Sequence, residues 1–125
     1  MTVSAAHRRH WQQRFQAEAE AIAARRQLAE QQAQAAAEVL RDRWPQIQAV
    51  WLFGSVLEPG FGLSSDLDLC VEGLPSDALL AAIELLNATE AVAVPAGPLP
   101  IDLVRLEALP PHWQERLRQR GRPLS

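Results

Sequence analysis

The sequence predicts an α/β (α+β) fold with a long N-terminal helix, and three observations carry that reading. From about Ser4 to Arg43 a helical apolar period runs without a single Gly or Pro. From Ile47 onward, short apolar runs alternate with Gly- and Pro-marked turns, as strands do. One segment with a helical period, "SDALLAAIELLNA", sits among those runs. A chain of 125 residues, 48% of them apolar, is long enough to bury one core.

The first segment is rich in Ala, Gln, Glu and Arg, all good helix formers, and it spaces Trp11, Phe15, Ala19, Ile22, Ala29, Ala33, Ala36 and Leu40 near 3.6 residues. Trp44-Pro45 stops it, because the residue before proline avoids the helical region and proline cannot continue the ladder. The chain thus divides into residues 1–44, a helix for packing or oligomerisation, and residues 45–125, the core. An unbroken helix of this length is about 60 Å long, against about 35 Å for a compact domain of this size. Part of it must overhang, and the alanine seam of its second half makes a homo-oligomer the expectation; the alternative is a break near Arg25-Arg26 and a hairpin folded back on the sheet.

The strand candidates are "IQAVWLF", "LDLCV", "AVAV" and "IDLVRL". Ser76 or Asp77 suits the N-cap of the helix between them, and "PPHWQERLRQR" reads as a short helix begun at Pro110-Pro111 and ended before Gly121.

Composition excludes several function classes. There is no lysine, so a P-loop is absent. A single cysteine, Cys70, leaves no pair for a disulfide or a zinc ribbon and reads as a buried structural thiol. No run of 18 apolar residues occurs and the basic N-terminus has no apolar stretch behind it, so the expectation is a cytoplasmic protein without a membrane partner. Residues 1–50 hold seven Arg against five acids, residues 51–107 one Arg against nine, and residues 108–125 four Arg against one. The acidic middle argues against direct nucleic-acid binding, whereas a divalent cation would reconcile it with a phosphate ligand.

That middle contains "VWLFGSVLEPGFGLSSDLDLCVEG". In a strand, Asp66 and Asp68 point to one face about 7 Å apart while Leu67 and Leu69 point to the core. Two carboxylates on one face repel unless a cation lies between them, and Mg²⁺ prefers such oxygen ligands. Ahead of them, Gly54 lets a backbone approach a phosphate, and Ser55 can donate to it. The same residues also suit an ordinary turn followed by an amphipathic strand with solvent-facing acids.

"LFGS", ten residues, then "DLDL" resembles the signature of the DNA polymerase β nucleotidyltransferase superfamily, and in particular its small stand-alone members, the minimal nucleotidyltransferases (MNT). The resemblance covers roughly residues 47 to 107 and implies a small mixed β-sheet flanked by helices. It also implies a third carboxylate on a later strand: Asp102 in "PIDLVRL" is preferred to Glu107 or Glu90 because it lies mid-strand. By resemblance, Asp66, Asp68 and Asp102 are catalytic and hold Mg²⁺, while Gly54 and Ser55 grip the β,γ-phosphates of ATP.

Family members commonly carry basic residues just after Gly-Ser, where this chain has Val56, Leu57 and Glu58. The missing cation would have to come from Arg105, the C-terminal Arg cluster or a partner. Minimal nucleotidyltransferases are often antitoxins that adenylylate a tyrosine of a helical HEPN toxin, and this chain, having no tyrosine, would need its acceptor on another protein. The resemblance therefore implies AMP transfer from ATP to a HEPN-type partner. The alternatives are a non-catalytic module that neutralises a partner by contact, and a transferase acting on a small molecule or an RNA end.

Overall fold

In the computed structural model, which describes residues 4–88 and 99–125, the first segment is one helix, α1 (Ala5–Arg43), running through Arg25-Arg26 without a break. Ser4 caps it, its Oγ accepting from the His7 N–H at 3.2 Å, and it ends at Trp44 before Pro45. Its 39 residues span about 58 Å. Residues 4–21 are all exposed, while Ala29, Ala33, Ala36, Ala37 and Leu40 are buried. Alanine on that stripe removes side-chain bulk, so the helix lies close on the sheet beneath it.

The sheet is mixed, as expected. Its strands β1 (Ala49–Phe53), β2 (Leu67–Glu72), β3 (Ile101–Arg105) and β4 (Arg122–Leu124) lie in the order β3-β2-β1-β4. β1 runs antiparallel to β2 and β4, and β2 runs parallel to β3. A parallel pair needs a crossover, and the helix α2 (Leu79–Asn87) lies within the β2–β3 connection. Neither Ser76 nor Asp77 caps α2, contrary to expectation: both lie inside a 3-10 turn, Ser76–Ala78, which leaves Ala78 at the cap with no side-chain bond. The predicted strand "AVAV" lies outside the described residues. β4 was not anticipated, being three residues long with a proline at its centre; as an edge strand it tolerates Pro123.

Strand alternation gives the sheet two different faces. Leu52, Leu69 and Leu103 stand in register across β1, β2 and β3 and join the core under α1 and α2. Trp51, Cys70 and Val104 occupy the other face, closed by Leu117 of the last helix, α3 (Pro111–Arg120). Cys70 is the buried thiol expected, and burial, with Glu107 and Glu72 nearby, pushes its pKa up to about 12.

Among the described residues β3 is the sheet's other edge, and side-chain amides close it. The Pro100 carbonyl accepts from the Leu67 N–H, so Leu99 and Ile101 turn their backbone groups outward. Gln32, fully buried in the alanine stripe of α1, donates to the Leu99 carbonyl at 2.8 Å and accepts from the Leu99 N–H at 2.6 Å. Asn87 of α2 does the same for Ile101, at 3.0 and 2.9 Å. Two amides thus stand in for a strand and hold the residues leading into Asp102. Gln32→Leu keeps the volume but leaves one buried N–H and one buried C=O unpaired, so we expect a loss of about 2–4 kcal/mol in urea unfolding; an unchanged midpoint would show that this edge needs no partner.

Candidate active site

The register that makes the core also makes the site. Phe53 stands opposite Asp68, and Asp68 opposite Asp102, in one row across β1, β2 and β3. Neighbouring strands lie about 4.8 Å apart, so two carboxylates emerge side by side on the α3 face. Asp68 is half-buried, and its pKa is raised above the ordinary carboxylate value, first by burial, then by the charges of Asp102 and Asp66.

Gly54 follows β1 with φ +81°, a left-handed conformation that favours glycine. A Cβ on it would collide with Asp68 Oδ2, so the carboxylate rests against bare backbone. Gly54 opens a 3-10 turn, Gly54–Leu57, in which Ser55 is half-buried and its carbonyl accepts from the Glu58 N–H at 2.9 Å.

Between the sheet and α3 lies an open cleft of about 450 Å³, with Gly54, Asp68 and Asp102 on one wall and Trp113, Arg116 and Arg120 on the other. Val104 and Leu109 line it further along, and Glu58 also borders it. Asp66, exposed just ahead of β2, and Ser55 do not line it. Among the described residues no three His, Cys, Asp or Glu side chains gather as a metal-holding group. Asp68 and Asp102 are therefore brought together, and Asp66 acts on Asp68 from outside the cleft.

The alternatives for the third acid fall differently. Glu107 accepts the Gly73 N–H at 2.6 Å, tying it to the turn after β2, and Glu90 lies outside the described residues. Of the candidate cations, Arg105 is engaged elsewhere, its Nε donating to the Leu74 carbonyl at 2.8 Å. The C-terminal cluster does reach the cleft.

The β1–β2 loop is held by two residues that the motif did not reveal. Arg26 of α1 donates through Nη1 to the Val56 carbonyl and through Nη2 to the Glu58 carbonyl at 3.2 Å, with its guanidinium 5.2 Å from the buried Phe61 ring. Arg25 donates to the Ser65 carbonyl at 2.9 Å. Nothing in the sequence around Gly54 signals a clamp some thirty residues upstream; in the sequence Arg25-Arg26 stands out only as the candidate place for a break in the helix.

The family described as "Polymerase beta, Nucleotidyltransferase" matches residues 34–125. The chain belongs to this nucleotidyltransferase family. Among solved structures, a toxin–antitoxin with AMP-PNP is similar at 23% identity and TM-score 0.57, over 73% of this chain and 70% of that one. A tri-AMPylated Shewanella oneidensis HEPN toxin in complex with MNT antitoxin is similar at 23% identity and TM-score 0.52, over 76% and 71%. A mutant of the toxin–antitoxin MntA-HpeT follows at 25% identity and TM-score 0.51, over 70% and 67%. No curated protein matches significantly. The match to the nucleotidyltransferase family begins within α1, so the Arg25-Arg26 clamp lies before the matched region.

The raised pKa of Asp68 has a thermodynamic consequence. The native protein keeps this proton to a higher pH than the unfolded chain does, so stability falls as pH climbs from the ordinary carboxylate value through the raised one. Without added divalent cation, Asp68→Asn is expected to melt higher than wild type at pH 7, with the difference shrinking as pH falls into the carboxylate range. Melting curves across pH check this, and a variant less stable at pH 7 would contradict it.

Proposed function

We propose that this protein is a Mg²⁺-dependent nucleotidyltransferase that moves AMP from ATP to a hydroxyl of a HEPN-type partner protein, as the antitoxin of a toxin–antitoxin pair. The observation that carries the reading is the side-by-side placement of Asp68 and Asp102 next to the left-handed Gly54, at one cleft. Their donor atoms are all oxygens, and the charge crowding at Asp68 is what a divalent cation relieves, so the donor set fits Mg²⁺. Asp68 and Asp102 would hold it, with Asp66, two residues before Asp68, joining from the rim. Bound there, Mg²⁺ supplies neutralisation of phosphate charge and a lowered pKa for the acceptor hydroxyl.

The chain's own residues divide the remaining work. Gly54 and Ser55 present the turn to the β,γ-phosphates. The acceptor oxygen attacks the α-phosphorus, the bond from that phosphorus to the bridging oxygen of the β-phosphate breaks, pyrophosphate leaves with the electron pair, and Asp102 takes the hydroxyl proton. Positioning and charge complementarity account for most of the rate. The acceptor lies on another chain if it is a tyrosine, since this one has none. The similar AMPylated HEPN toxin complex supports a partner of that kind.

A second reading, a non-catalytic module that neutralises the partner by contact, is favoured by one observation: Glu58 borders the cleft, at a place where the family resemblance implies basic residues, and would repel phosphate. Asp102→Asn separates the two. Transfer of labelled AMP to the co-expressed partner should fall roughly 10²–10⁴-fold while ATP affinity is largely kept. Equal transfer by both proteins would remove Asp102 from the chemistry, and a wild type that silences its partner without modifying it would favour the contact reading.

Self-association through α1 belongs to the same proposal. Its exposed half carries Trp11 and Phe15, 45% and 63% exposed, with rings stacked at 5.9 Å. Removal of residues 1–20 spares Arg25 and Arg26 and is expected to give a smaller particle in sedimentation velocity. A full-length protein that is monomeric at micromolar concentration would end the oligomer reading.

A further inference from the structure

The residues that follow Ser55 supply no cation, and the structure shows where positive charge meets the cleft. α3 brings Trp113, Arg116, Leu117 and Arg120 onto its cleft side, a spacing of three and four that keeps them on one helical face. Leu117 is buried and anchors that face against the sheet, so the two guanidinium groups are carried on a fixed wall across from Asp68 and Asp102.

The basic residues of this segment are not equivalent. Arg118 points elsewhere and pairs with Glu72 at 3.4 Å, and Arg122 pairs with Glu30 at 3.2 Å. Among the described residues Arg116 and Arg120 join no ion pair, although acidic side chains share their cleft. The favourable field at a helix C-terminus accounts for basic residues in the last turn, where Arg118 and Arg120 sit, but not for Arg116, a turn earlier. Arg116 instead lies over the Trp113 ring at 5.3 Å. Among the described residues neither guanidinium group donates a hydrogen bond, both residues line the cleft, and a planar fork of donors matches phosphate oxygens in two-point fashion.

We propose that Arg116 and Arg120 bind the polyphosphate of the nucleotide from α3, replacing the basic residues that this chain lacks after Ser55. The polyphosphate then lies between two walls: the Gly54 turn and the carboxylates with their cation on the sheet side, and two arginines on the helix side. Glu58 is tolerated in such a cleft because α3 offsets its charge. The inference rests on the nucleotide-binding reading above, so its test separates the two.

Calorimetric titration of the full-length protein with Mg²⁺ and ATP, and separately with AMP, is the experiment. In wild type we expect ATP to bind. Arg116→Gln and Arg120→Gln should each weaken ATP roughly ten- to a hundredfold, the magnitude of a charge-assisted hydrogen bond, with a much smaller effect on AMP. Arg118→Gln, on the same helix but facing Glu72, should bind ATP as wild type does, and the lysine variants at 116 and 120 should recover part of the loss. Circular dichroism of each variant reports whether α3 is intact. Unchanged ATP affinity in a folded double variant would overturn the assignment and leave nucleotide binding standing. Equal losses for ATP and AMP would overturn it too, since the arginines would then contact the nucleoside monophosphate. A wild type that binds no ATP would overturn both.

Discussion

Two like charges placed side by side on a half-buried sheet face are the condition around which the rest of this molecule is arranged. Asp68 and Asp102 cannot move apart by a shift in strand pairing, because the opposite face of β2 and β3 carries Leu67, Leu69, Ile101 and Leu103 into the core, and a slip of one residue would turn that whole set to the solvent. The hydrophobic face therefore holds the charged one in place. Gly54 yields the space that Asp68 occupies, and α3 lays positive charge across the cleft from both acids. Burial first, and then the crowding of charge, raises the Asp68 pKa, and a bound cation offsets both.

The long helix serves this arrangement as a brace. Its alanine stripe seats it on the sheet, Gln32 completes the edge of the strand bearing Asp102, and Arg25 and Arg26 hold the loop bearing Ser55. Further along, Gln34 donates to the Ser125 carbonyl at 2.6 Å and Arg41 to the Leu124 carbonyl at 2.7 Å. One helix thus touches the loop after Gly54, the residues leading into Asp102 and the last strand, so polar residues on an otherwise alanine-rich surface carry the geometry of the site.

Much of this was legible in the residues. The unbroken helix followed from the absence of Gly and Pro up to Trp44-Pro45. The Gly-Ser and Asp-x-Asp spacing pointed to Gly54, Ser55, Asp66 and Asp68, and the family resemblance added Asp102. Of these, Gly54, Asp68 and Asp102 line one cleft, while Ser55 and Asp66 do not. What stayed hidden depended on contacts far apart in the chain. β4 is too short and too proline-bearing to show a period, and forms because β1 offers it a free edge. The Arg25-Arg26 clamp bonds carbonyls, and backbone acceptors leave no trace in side-chain spacing. Ser76 and Asp77 looked like caps because propensity could not foresee a 3-10 turn ahead of α2.

The position of α3 has a consequence for how the molecule comes into being. During synthesis, β1, β2 and β3 emerge before the helix that walls the cleft, and β4 emerges after it. Until those later residues arrive, β1 has an open edge, and Trp51 and Cys70 have no cover from Leu117. A nascent chain therefore exposes a strand edge and an apolar face together, the combination most prone to pairing with the wrong neighbour. Formation of the cleft and protection of the sheet are therefore the same late event, since both wait on α3 and the residues after it.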